Sequence, residues 1–69
     1  MPLKIKYSKH AREQMVERGI SEREVEKGIT KGAKMVQPED KILSTYRYFV
    51  VVYRIIDDVC FVITIKPRW

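Results

Sequence analysis

The sequence predicts an α+β domain in which two N-terminal helices pack on one face of a four-stranded antiparallel sheet. Three observations lead there. Apolar residues recur at helical spacing, between capping residues, only as far as Gly32. Beyond Gly32 the period shortens to the alternation of strands. The Val- and Tyr-rich segments that follow are separated by short Pro, Asp and Glu turns. With 69 residues the whole chain, 1–69, is a single domain. A chain of this size buries only about 60% of its unfolded surface, which excludes a two-domain enzyme with a deep cofactor cleft.

Ser8 caps a helix from Lys9 to Arg18, with Ala11, Met15 and Val16 on its inner side and Gly19 at its stop. Ser21-Glu22-Arg23-Glu24 is a capping box that opens a second helix, from Glu22 to Lys31. Val25 and Ile29 share the buried side of that helix, and Gly28 permits close packing. Ala33 to Gln37 is the first strand. Pro38 to Lys41 is a turn, Ile42 to Tyr46 the second strand and Tyr48 to Ile56 the third, with a break near Arg47. Asp57-Asp58 turns the chain into a fourth strand, Val59 to Lys66.

A two-residue turn at Asp57-Asp58 makes facing residues of the last hairpin sum to 115. Strict alternation then gives two sets. Val50, Val52, Arg54, Ile56, Val59, Phe61, Ile63 and Ile65 are mostly apolar and are expected beneath the helices, with Arg54 snorkelling outward. Phe49, Val51, Tyr53, Ile55, Cys60, Val62, Thr64 and Lys66 form a mixed set, expected on the uncovered face.

The charge is +5, with 14 Lys and Arg against nine Asp and Glu. Residues 1–12 alone carry +4, from Lys4, Lys6, Lys9 and Arg12. A small basic domain points first to nucleic acid or an acidic protein as partner. One cysteine, Cys60, and one histidine, His10, exclude an intramolecular disulfide and leave a metal site without its usual ligands, so neither metal nor cofactor is expected. No apolar run is long enough to span a membrane and no signal-peptide core is present, which implies a cytoplasmic protein.

Several residues fit phosphodiester chemistry. His10, in the first turn of helix 1, is a candidate general base. Tyr53 is a candidate to stack on a base or donate to phosphate, and Lys66 to stabilise developing charge. Lys9, Arg12, Arg47 and Arg68 are candidate phosphate contacts. Trp69 ends the chain, where it can pack on the sheet or stack on a base.

Ser8-Lys9-His10-Ala11-Arg12-Glu13-Gln14-Met15-Val16-Glu17-Arg18-Gly19-Ile20-Ser21 resembles the first-helix motif S-x-H-A-x-x-R-M-x-x-R-G-I-S/T of small domains of unknown function. Such domains resemble the RelE/ParE-type toxin superfamily, including BrnT-like toxins. The resemblance implies two helices followed by an antiparallel sheet, a metal-independent cleavage of RNA or ribosome-bound mRNA, and a small antitoxin partner. In that mechanism the ribose 2′-hydroxyl attacks the adjacent phosphate, with His10 as base, Tyr53 stacking or donating, and Lys66 with Arg68 or Arg47 holding the phosphate. Gln14 stands where the motif has Arg. The alternatives are a non-catalytic protein-binding module, such as a degenerate toxin, and a homodimer formed through the mixed sheet face.

Overall fold

The computed structural model describes residues 4–68. The chain runs β1 (Lys4–Tyr7), α1 (Lys9–Arg18), α2 (Glu22–Lys31), β2 (Ala33–Gln37), a single 3-10 turn (Pro38–Asp40), β3 (Lys41–Tyr46), β4 (Phe49–Ile56) and β5 (Val59–Pro67). The strands make one sheet in the order β1-β5-β4-β3-β2. β2 to β5 form an antiparallel meander, while β1 lies parallel to β5. The expected four-stranded antiparallel sheet is therefore five-stranded and mixed.

The extra strand is Lys4-Ile5-Lys6-Tyr7. Its alternation of charged and apolar residues is a period-2 signal four residues long, hidden within a run of cations. Its partner strand lies more than fifty residues away in sequence, so nothing local specifies the pairing.

Both helices start and stop by recognisable chemistry. Ser8 Oγ accepts from the Ala11 amide (2.9 Å) and donates to the Ile63 carbonyl (2.6 Å), so one hydroxyl caps α1 and ties it to β5. Gly19 ends α1 at φ +67°, a left-handed conformation that glycine adopts without penalty. The capping box at Ser21 and Glu24 is complete. Arg12 bridges the helix pair to Glu22 at 2.5 Å. Behind α2, the wholly buried Ser44 hydroxyl donates to the Gly28 carbonyl. Gly32 leaves the helix against β3, where a Cβ would meet Ser44 Oγ and lie 2.8 Å from the Thr45 carbonyl.

The β4–β5 turn is the two-residue one expected. Asp57 (φ 49°) and Asp58 (φ 64°) are both left-handed, the type I′ geometry that matches the twist of the flanking strands. Arg54↔Phe61, Ile55↔Cys60 and Ile56↔Val59 face one another as the sum requires.

The choice of face is what the structure overturns. The helices cover Phe49, Val51, Tyr53, Cys60 and Val62, which form the core with Ala11, Met15, Ile20, Val25 and Ile29. The set containing Phe61 lies on the opposite, open face. Both sets are rich in Val and Ile, so hydrophobicity did not separate them. The alternation also breaks. Tyr53 faces Val62 but Val52 faces Thr64, so Ile63 is the extra residue of a β-bulge. Beyond the bulge Ile65 turns into the core, while Thr64 and Lys66 turn to the open face.

Candidate functional site

The open face is built from every second residue of five strands. Register and alternation place on it Lys4 and Lys6 of β1, Met35 of β2, Lys41, Leu43 and Thr45 of β3, Val50, Val52 and Arg54 of β4, and Phe61, Thr64 and Lys66 of β5. The assignment agrees with packing, because Ile5 and Tyr7 of β1 and Ile42 and Tyr46 of β3 pack on the core from the other side.

Charge is sorted between elements. All nine carboxylates lie on the helices or in the hairpin turns, and none lies on a strand. Five cations, Lys4, Lys6, Lys41, Arg54 and Lys66, therefore share a face that holds no carboxylate. Lys41 reaches Glu39 at 3.9 Å from the adjoining turn. The other four make no ion pair with a described residue. Arg54 Nε is buried without an acceptor. A positive field over a carboxylate-free surface is what a polyanion requires.

The cations stand at two ends of the sheet. At one end Lys6 faces Phe61 across β1–β5, and Phe61 faces Arg54 across β5–β4. At the other end a shallow depression of about 410 Å³ is lined by Met35, Leu43, Thr45, Val50, Lys66, Pro67 and Arg68. Arg68 is held beside it. Its amide donates to the Tyr48 carbonyl (3.1 Å) and its guanidinium to the Arg47 carbonyl (3.0 Å). Arg47, left-handed at φ 55° in the β3–β4 turn, lays its guanidinium 5.5 Å from the centre of the Tyr46 ring.

The residues expected to act together are dispersed. Lys66, Arg68 and Arg47 gather at one end of the sheet. Tyr53 does not join them. It is 2% exposed beneath the helices, where burial first and Cys60 second raise its pKa, so its ring is closed to a base and its hydroxyl to a phosphate. His10 is exposed on α1, in the layer on the other side of the sheet from Lys66. Lys9 is exposed on the same helix. Arg12 is occupied, paired to Glu22 and stacked 4.5 Å from the centre of the Tyr7 ring. Trp69 lies outside the described residues. Gln14 accepts from Arg18 Nε at 3.1 Å on the outer side of α1. No group of three or more metal-ligating side chains exists among the described residues, and none of their helices is long and apolar enough to cross a membrane.

A family model described as a domain of unknown function, DUF4258, matches residues 7–66. The chain belongs to this family. The matched span takes in both helices and four of the five strands. Lys4 and Lys6 lie outside it. Within the first-helix motif, structure accounts for Ser8 (cap), Ala11, Met15 and Ile20 (core) and Gly19 (left-handed stop). No curated protein matches the sequence. Among solved structures, a chain of the toxin–antitoxin complex RelBE2 from Mycobacterium tuberculosis is similar in fold. It has a TM-score of 0.69 and 12% identity, with 99% of this chain and 100% of that chain covered.

Sequence reasoning put Arg54 and Phe61 on one face but took it for the covered one, and it missed Lys4, Lys6 and Lys41 as members of that surface. The signal was present for β1, whose lysines alternate with Ile5 and Tyr7. It was present too in the confinement of acids to helices and turns.

Proposed function

We propose that this DUF4258 domain binds RNA through the open face of its sheet. The single observation that carries the reading is the sorting of charge, five strand cations on a face without a carboxylate. The fold it shares with a chain of a toxin–antitoxin complex supports a place in such a pair, with a small antitoxin as protein partner and RNA or ribosome-bound mRNA as target.

The geometry favours binding over cleavage. Attack by the 2′-hydroxyl needs a base beside the phosphate. His10 lies across the sheet from Lys66, and Tyr53 is enclosed in the core. Lysine and arginine on the open face hold a phosphate without taking up its neighbour's proton.

The test is binding of a labelled RNA across a salt series. Affinity is expected to fall with a log–log slope of about 0.7 for each phosphate contact to a single strand. Replacing Lys6 and Lys66 together by Ala is expected to reduce that slope by about 1.4. Binding indifferent to salt, or unaltered in the double variant, overturns the reading. Product analysis in excess chelator tests cleavage separately, since a 2′,3′-cyclic phosphate product would show that the domain also cuts.

A protein-binding module is the second reading, and strand β2 favours it. All five of its residues are exposed, including Met35 (62%) and Val36 (73%), and its outer edge has no partner strand among the described residues. Such an edge can accept a strand of an antitoxin or of a second copy. Sedimentation of the protein alone distinguishes a homodimer from a monomer awaiting a partner.

A further inference from the structure

We propose that the open face takes single-stranded RNA and seats one unstacked base on Phe61, with the flanking phosphates held by Lys6 and Arg54. The inference rests on the RNA-binding reading above and names its substrate class and its central contact.

The cross-strand row Lys6–Phe61–Arg54 carries it. Neighbouring strands lie about 4.8 Å apart, so a cation stands within reach on each side of the ring. Phe61 is half-buried and keeps part of its ring open, unlike Phe49, which has no exposure. Among the described residues it is the one aromatic ring on the open face. Tyr7, Tyr46, Phe49 and Tyr53 belong to the helix-covered side, and Tyr48 sits in the β3–β4 turn. Arg54 has no carboxylate partner among the described residues, and its Nε lacks an acceptor. A donor left unsatisfied costs stability, and swinging the flexible guanidinium onto a phosphate relieves that cost.

The arrangement selects against a duplex. The faces of the bases in an RNA helix are already stacked on one another, whereas a lone ring between two cations needs a base whose face is free. Val50 lies four residues from Arg54 along β4, so the Lys66 end stands about 13 Å away. The interval is paved by Val52, Thr64 and Leu43. A flexible strand laid along this face meets a cation pair, an apolar floor and a second basic site in turn.

The experiment is fluorescence anisotropy with the full chain and two probes, a uridine oligomer of about twelve nucleotides and a duplex of similar length. Phe61→Leu keeps an apolar side chain and is expected to weaken single-strand binding roughly tenfold, the scale of one lost stacked base, without changing the salt slope. Phe61→Tyr keeps the ring and is expected to stay within about twofold of the parent. Duplex is expected to bind more weakly and to ignore both changes. Thermal unfolding of each variant confirms that it is folded. Salt-dependent binding that Phe61→Leu leaves intact overturns the base seat while the RNA reading stands. So does a preference for duplex. Absence of salt-dependent binding to either probe overturns both. Displacement of the RNA by polyglutamate at equal charge identifies an acidic-peptide site and overturns the proposal.

Discussion

Phe49 lies under the helices and Phe61 lies on the uncovered side of the same sheet, on adjacent strands. Phe49 has no exposed surface and meets Tyr46 and Tyr48 edge-on at 6.0 and 5.5 Å. Phe61 stands between Lys6 and Arg54. The covered face supplies the core and carries a single strand cation, Lys34, on its β2 edge opposite Ser44. The open face is cationic, yet its floor is also apolar, with Val50 and Val52 only 6 and 7% exposed. Burial alone therefore does not tell the two faces apart, because a central strand is flanked on both sides: Val52 stands between Leu43 and Thr64, and Val50 between Thr45 and Lys66. What separates them is charge and what lies on top.

The largest effect expected from this contrast is on stability. Phe49→Ala should cost about 3–5 kcal/mol, since it empties a fully enclosed site. Phe61→Ala should cost about 1–2 kcal/mol, because its ring is already partly in water. Urea midpoints at constant slope measure both. Equal losses would mean that the open face contributes as much core as the covered one, and the division drawn here would fail.

That division was only partly legible in the sequence. The helix limits, the Ala33–Gln37 strand and the turn at Asp57-Asp58 follow from local chemistry: caps, a left-handed glycine stop and a change of period. Two features do not. The bulge at Ile63 inserts one residue into an apolar run, and no side chain there announces it. It reverses the alternation, so Lys66 and Tyr53, which strict alternation puts together, end on opposite faces. The second is β1, whose parallel pairing with β5 is a contact between chain ends. The candidate site suffered from both. Lys66, Arg47 and Arg68 were recognisable as exposed basic groups and Arg54 as the partner of Phe61, but Lys6 completes the row only once β1 is laid against β5.

A smaller loss is expected where the helix layer meets the covered face. Gly32 has ordinary extended backbone angles (φ −71°, ψ 162°), so a side chain there is opposed by space alone. In Gly32→Ala the added methyl would meet Ser44 Oγ and stand 2.8 Å from the Thr45 carbonyl. The buried Ser44–Gly28 hydrogen bond lies at the same contact. Overpacking of this kind costs about 1–3 kcal/mol. RNA affinity of the folded fraction should change little, since the added methyl meets none of the open-face cations. A fall in affinity with stability intact would mean that α2 communicates with that face.

The smallest effect is a decline of stability in alkali, and it too belongs to the covered face. Burial pushes the Cys60 thiol from its ordinary 9 up to about 11. Burial, then repulsion from Glu22 and Glu26, pushes Tyr7 from 10 up to about 12, with Arg12 opposing. Both groups lose their protons more readily in the unfolded chain than in the fold. Their contribution is therefore complete below pH 9 and shrinks as pH rises through about 11 for Cys60 and about 12 for Tyr7. The Tyr7 hydroxyl is buried without a partner, so Tyr7→Phe removes an unsatisfied group and keeps the ring on which Arg12 stacks. The variant should match or exceed the parent's stability at neutral pH and decline less between pH 10 and 12. Urea midpoints across that range provide the measurement. A variant that declines as steeply as the parent would clear Tyr7 and leave the alkaline loss to Cys60 and Tyr53, deeper on the same face.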